Sequence, residues 1–366
     1  MIAYGRLKAV GDIEHTIRIG NTADVIRHVL YTRLFDSHGL ASARATRHFL
    51  NEINKFNPDL IHLHNIHGYY VNYPILFDFL RAWGGPVVWT LHDCWAFTGH
   101  CAHFQNIGCT KWIQGCHACT EKKEYPKSIF IDGSRRNYQK KKNAFQSVDN
   151  MTIVTPSVWL KDQVKSSFLS KFPCRVIHNG IDTEVFSAHN VDAPEKGKSI
   201  ILAVASVWTE SKGLGDLEKL AAILPENWHV YAVGLTPKQI NVLPSKITGI
   251  MRTENQKSLA RLYSQASVFV NPTYGDTFPT TNLEALACGT PVATYRTGGS
   301  PEAIDSLTGR VVERGDVRAL GDAIVELMAI PPKKIAKDCR ERAVRLFDQR
   351  DRFAEYIDLY NSLLGN

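Results

Sequence analysis

Short apolar runs alternate with helix-like segments along this chain, and the series occurs twice. In the first half, Ile13–Ile19, Asp59–His64, Pro86–Leu91 and Met151–Thr155 read as strands. Asp24–Phe35, Ser42–Phe56, Tyr73–Trp83 and a segment from Ser157 read as helices. The second half opens with the strand Ser199–Ala205 and continues with Trp228–Val233, Ile247–Met251, Ser267–Val270 and Pro291–Thr294. Apolar strands of this length, separated by helices, build parallel sheets covered on both faces. The polar stretch His189–Lys198 divides the two series. With 366 residues, 44% hydrophobic and 22% charged, the chain has material for two domains, each with its own core. No run of eighteen apolar residues is present to cross a bilayer. The opening MIAYGRLKAVGD lacks the apolar centre of a signal peptide, so a cytoplasmic location is expected.

The densest chemistry lies in Tyr274–Glu302, YGDTFPTTNLEALACGTPVATYRTGGSPE. Asp276 and Glu284 stand eight apart. Between them Phe278, Pro279, Thr280, Thr281 and Asn282 lead into a helix, with Thr281 or Asn282 able to cap it and Gly289 and Pro291 ending it. A helix N-terminus offers unpaired N–H groups and partial positive charge, which suit a diphosphate. Carboxylates before and inside that helix can then take hydroxyls on either side of the phosphates. These residue types suit a nucleotide diphosphate-sugar. The alternative, a surface helix with two incidental acids, explains two positions and not the whole segment.

The segment resembles the donor-site signature of the family 4 retaining glycosyltransferases, an E-x7-E motif followed by a G-G-x-x-E turn. The resemblance implies that Asp276 contacts the transferred sugar, Glu284 the nucleotide ribose, and that Gly298 and Gly299 form the turn. The first acid is Asp here, one methylene shorter than the usual Glu. Val176–Phe186, V-I-x-N-G-I-D-x-x-x-F, resembles the interdomain linker of this family. The implied fold is α/β, GT-B, two Rossmann-like domains facing a central cleft. Its parts would be an acceptor-side domain at 1–175, a linker at 176–198, a donor domain at 199–349, and a final helix at 350–366 returning to the first domain. Family members begin with an apolar strand, a glycine-rich loop and a helix roughly thirty residues before this chain starts. That unit is absent from the sequence, which implies a misplaced start codon or a shortened gene copy, less active and less soluble.

Other positions follow from the resemblance. His92 and Asp93, after the strand ending at Leu91, occupy the place where relatives bring an imidazole to the donor sugar; both are expected in the catalytic set. His62, His64 and His67 cluster nearby and read as packing or acceptor-side residues. Lys212, in the loop Ser206–Gly213, suits stabilisation of the departing diphosphate. The family's second cation falls on Val207, and Arg252 is the candidate replacement or a contact to the base.

Five of the eight cysteines, Cys94, Cys101, Cys109, Cys116 and Cys119, lie in an insertion at 94–126. Cys116-x-x-Cys119 with Cys101 and Cys109 reads either as a structural zinc site or as a set of core thiols. No metal is expected in catalysis. The charge is uneven: residues 1–175 hold 22 Lys and Arg against 13 Asp and Glu, while the remainder hold 21 against 23. The basic half suggests an anionic acceptor or anionic lipid at the inner face of the cell membrane. Arg135, Arg136, Lys140, Lys141 and Lys142 lie at helical spacing and read as a solvated face, and no nucleic-acid motif is present.

The implied activity is transfer of a sugar from a nucleotide diphosphate-sugar to a lipid-linked oligosaccharide in exopolysaccharide, capsule or colanic acid assembly. A nucleotide-sugar epimerase or hydrolase on the same fold, or a non-catalytic sugar-nucleotide-binding protein, are the alternatives.

Overall fold

The computed structural model describes residues 1–5, 15–188 and 199–365. Two units carry the chain: Met1–Val176 with Asp358–Asn366, and Ile177–Ile357. The polar stretch His189–Lys198 lies outside the described residues.

In the second unit six parallel strands lie in the order Gly309–Val312, Val292–Tyr295, Val268–Asn271, Ser199–Val204, Trp228–Val233, Ile247–Ile250. The chain starts in the middle and winds outward in both directions. The reversal falls between Ser199–Val204 and Val268–Asn271, and loops leaving the carboxyl ends of those two strands share one crevice. Val268–Asn271 is buried throughout and Ser199–Val204 at all but its two ends, as continuous apolar runs of a covered parallel sheet should be. Residues 177–188, expected to be linker, are built into this unit. Ile181 and Phe186 enter its core, and Ile181 pairs with Asp348.

The first unit holds a four-stranded parallel sheet, Ile61–Leu63, Val87–Thr90, Met151–Thr155 and Cys174–Val176 in that order. A separate parallel pair joins Ile2–Tyr4 to Thr16–Arg18. The strand expected at Ile13–Ile19 is therefore Thr16–Arg18, with residues 13 and 14 outside the described set. Ile2–Tyr4, Cys174–Val176 and Gly309–Val312 escape a reading by periodicity because three or four residues carry too little pattern. Helices start where short polar side chains cap them. Asn21, Asn72 and Ser157 each accept an N–H from the first turn of the helix that follows.

Candidate active site

Two loops meet at the crevice of the second unit, and two glycines set their distance. Gly213 follows Lys212 at φ +80°, and a Cβ there would stand 2.1 Å from the Pro272 carbonyl oxygen. Gly298 has φ +52°, and its Cβ would stand 1.7 Å from the Asp276 carbonyl oxygen. Both positions require glycine for conformation and for space. The loop Tyr274–Phe278 is thus clamped from both sides, with the Tyr274 N–H donating to the Ser211 carbonyl at 2.8 Å. The clamp brings Lys212 Nζ to 2.9 Å from Asp276 Oδ2, while Asp276 Oδ1 accepts the Phe278 N–H at 3.2 Å. Below the loop, the Tyr274 and Tyr295 hydroxyls both donate to Asp216 Oδ2, at 2.5 and 2.9 Å.

The expected helix runs Thr280–Ala287. Its cap position is Pro279, without a side-chain cap bond, so Thr281 and Asn282 lie inside the helix and do not cap it. Asn282 is fully buried and accepts from Asn271 Nδ2 at 2.8 Å, tying the helix to the central strand. Among the described residues, the first-turn N–H groups of Thr280 and Thr281 have no hydrogen-bond acceptor. Glu284 Oε2 accepts the hydroxyl of fully buried Tyr263 at 3.0 Å. Burial raises the Glu284 carboxyl above its usual range, against opposing hydrogen bonds from Tyr263 and Thr280.

One expected donor contact is placed differently. The Phe278 ring is 2% exposed, stacked on His178 at 4.8 Å, so it anchors the loop and its side chain cannot face a ligand. Its carbonyl accepts from Asn179 Nδ2 at 3.1 Å, which gives the Asn of the N-G-I-D segment a task. Arg252 is exposed beyond the strand Ile247–Ile250. A cation the sequence did not single out, Arg314, lies 5.7 Å from the centre of the Tyr274 ring. Gly299 follows Gly298 and caps the short turn Ser300–Ala303.

In the first unit His92 and Asp93 part company. Asp93 Oδ2 lies 3.1 Å from His67 Nε2, and Asp93 Oδ1 accepts the Trp95 N–H at 2.8 Å. Burial works to raise the Asp93 carboxyl, but His67 and the Trp95 N–H outweigh it and hold the pKa at about 2. Asp93, expected in the catalytic set, is therefore committed to orienting His67 and the turn Trp95–Phe97. His92 Nε2 instead meets His64 Nδ1 at 3.0 Å. His62 follows, its ring 4.1 Å from His64, bonded to Thr90 Oγ1 at 2.8 Å and to the Tyr360 hydroxyl at 2.6 Å. Burial and the neighbouring imidazoles push His62 down to about 3 and lower His92, so both rings stay neutral at pH 7. Of the three histidines read as packing or acceptor-side residues, His67 thus pairs with Asp93, while His62 and His64 form one array with His92. Its signal in sequence is a pair of neighbouring strands each ending in histidine, His62-x-His64 and His92.

The cysteine insertion, read as a structural zinc site or as core thiols, draws its thiols close together. Among the described residues no group of three or more His, Cys, Asp or Glu side chains is arranged to hold a metal ion. Cys101 is buried, Cys109 and Cys116 pack against the hydrophobic core, and the Cys116 sulfur takes the Gly99 N–H at 3.1 Å. Cys101 and Cys119 share a hydrogen bond and Cys116 lies near both Cys109 and Cys119, so Cys101, Cys109, Cys116 and Cys119 gather in one neighbourhood. The basic helix Ser134–Phe145 is also not simply a solvated face. Lys141 is buried with Nζ on the Trp95 and Thr98 carbonyls, at 2.6 and 3.0 Å, and Arg136 holds the Phe35 and Asp36 carbonyls.

A doubly wound α/β unit with a cation, two carboxylates and a helix start at its switch point, beside a second parallel α/β unit, defines the GT-B class of transferases. Solved structures agree on the fold. Sucrose-phosphate synthase from Thermosynechococcus elongatus superposes with a TM-score of 0.69 at 20% identity, over 96% of this chain and 85% of that one. Anabaena HepE in complex with UDP gives 0.64 at 14% identity, over 90% and 85%. Residues 9–185 match the family described as Glycosyltransferase Family 4, and residues 198–329 match Glycosyl transferases group 1. The chain thus carries a Glycosyltransferase Family 4 domain followed by a Glycosyl transferases group 1 domain. WcaC of Escherichia coli (strain K12), which carries the name of a colanic acid biosynthesis glycosyl transferase, is 26% identical over 96% of this chain and 86% of its own length. D-inositol 3-phosphate glycosyltransferase of Mycobacterium avium is 29% identical over 46% of this chain and 44% of its own.

Proposed function

We propose that the chain transfers a sugar from a nucleotide diphosphate-sugar to a hydroxyl of a lipid-linked oligosaccharide, with retention at the anomeric carbon, in exopolysaccharide, capsule or colanic acid assembly. The observation that carries this reading is the Lys212–Asp276 pair at the switch point, beside the helix start at Thr280 and Glu284. The UDP-bound HepE structure supports a nucleotide donor, and the name of WcaC supports the polysaccharide setting.

In this reading Lys212 and the first-turn N–H groups of Thr280 and Thr281 neutralise the departing diphosphate. Glu284 takes the ribose hydroxyls, Asp276 the transferred sugar, and the His92 array its other hydroxyls. Asp276 is engaged by Lys212 and by its own loop, so a covalent nucleophile is not assigned. The bond from the anomeric carbon to the phosphate oxygen breaks. The acceptor oxygen bonds to that carbon on the same face, and the acceptor proton passes to the leaving phosphate. Arg252 is retained as a contact to the base. No metal is assigned a step.

The test is a thermal-shift screen against UDP-, GDP-, dTDP- and CMP-sugars, followed by NMR of the anomeric proton in the product. A donor at 100-fold over its Kd adds about 2.7 kcal/mol. No shift with any donor, from a folded sample, overturns the proposal. Turnover of the donor without acceptor transfers the site to the hydrolase or epimerase reading.

A further inference from the structure

The helix Thr22–Phe35 is turned inside out. Its buried residues are polar: His28 and Thr32 are 0% exposed. His28 Nδ1 pairs with Ser42 Oγ at 2.9 Å, and its Nε2 accepts the Gly39 N–H at 3.0 Å. The outward face carries Ile26, Leu30, Tyr31, Leu34 and Phe35, with Ile26 55% and Leu30 53% exposed. An amphipathic helix on a core does the reverse. The apolar surface continues past its C-terminal end. The Ile129 N–H donates to the Arg33 carbonyl at 2.8 Å, and Ile129, Phe130 and Ile131 are all exposed, Phe130 at 71%.

Exposed apolar side chains of this density mark a surface that meets something. Its charge says what. Arg27, Arg33 and Lys127 are exposed among them. Asp24 is engaged in the capping box with Asn21 and lies 4.0 Å from Arg27, and Asp132 takes the N–H groups of Cys119 and Ser134. A second copy meeting this face symmetrically would set cation against cation. An anionic bilayer accepts both parts: the apolar side chains enter the acyl boundary and the cations stay among the phosphates. We propose that the face built by Thr22–Phe35 and Lys127–Ile131 is a docking surface for anionic lipid headgroups. Such a surface serves the lipid-linked acceptor of the reading above, but vesicle binding is measured without donor or acceptor, so the two fail separately.

The experiment is co-sedimentation of the whole chain with vesicles of phosphatidylglycerol and phosphatidylcholine, and with phosphatidylcholine alone. The expected result is binding to the anionic vesicles, weakened by 0.5 M salt. Leu30→Asp with Phe130→Asp should cut the bound fraction at least tenfold, with circular dichroism and the unfolding midpoint unchanged because both side chains are exposed. Arg27→Gln with Arg33→Gln should weaken binding about fivefold per charge removed. A wild-type chain that stays in the supernatant at every lipid concentration overturns the proposal. So does a monomer–dimer equilibrium in sedimentation velocity that Leu30→Asp abolishes, since that assigns the face to a second copy. Equal binding by wild type and the double Asp variant also overturns it.

Discussion

Lys212 Nζ donates a 2.9 Å hydrogen bond to Asp276 Oδ2, joining two loops 64 residues apart in sequence. Both side chains remain partly exposed, at 33% and 23%. A pair of that exposure adds about 0–1 kcal/mol to stability, so its value lies in placing a cation and a carboxylate together. Lys212→Gln should lower kcat/KM by roughly 10²–10³ while moving stability by less than about 1 kcal/mol. Loss of fold in parallel with activity would contradict this division.

Gly298→Ala should be far more damaging than its one added methyl suggests. The Cβ would meet the Asp276 carbonyl oxygen, and the backbone sits in the left-handed region. We expect destabilisation of at least about 2 kcal/mol and loss of the donor-induced thermal shift. A variant that melts like wild type and binds donor would show that the clamp is dispensable.

Tyr263→Phe removes the hydroxyl that donates to Glu284 and leaves that carboxylate short of a partner in a buried place. The expected cost is about 1–3 kcal/mol. With burial already raising the Glu284 carboxyl, donor affinity should weaken as pH falls toward that raised value, and the variant should move the midpoint higher still. Calorimetric titration of the nucleotide at several pH values reads both effects. Glu284→Ala should abolish donor binding.

His28 predicts an acid-sensitive fold. Its Nε2 accepts a backbone N–H, so the buried ring is neutral, and burial lowers its pKa from 6.5 to about 4. Below pH 6.5 the unfolded chain takes up a proton that the folded chain refuses. Stability from this residue is therefore complete above pH 6.5 and falls as pH drops toward 4, with a slope of up to about 1.4 kcal/mol per pH unit. Urea unfolding between pH 7.5 and 4.5 measures the slope. His28→Gln should lower stability at pH 7 and flatten the dependence; an unchanged slope would remove His28 as its source.

How much was legible depended on how local each determinant is. Asp276, Glu284, Gly298 and the helix between them lie within one continuous segment, so spacing together with the family resemblance picked them out. The strands Met151–Thr155 and Trp228–Val233 matched their apolar runs residue for residue. Lys141 was misjudged because its partners, the Trp95 and Thr98 carbonyls, are 46 and 43 residues away. Asp93 was grouped with His92 because they are adjacent, although successive residues at a strand end point apart and Asp93 turns to His67. The cysteine spacing admits a metal or core thiols, and the fold brings Cys101 to Cys119 while packing Cys109 and Cys116 against the core.

By itself, then, the sequence determined the class of fold and the position of the proposed donor motif, since periodicity and motif spacing are properties of neighbouring residues. Only the tertiary structure decided which side chains meet: Lys212 with Asp276, His64 with His92, and which face of Thr22–Phe35 turns outward. Those outcomes rest on sheet order and loop clamps that bring distant segments to within a hydrogen bond. A helical period gives a stripe its width but not the side that will be buried, because that depends on what the rest of the chain places against it.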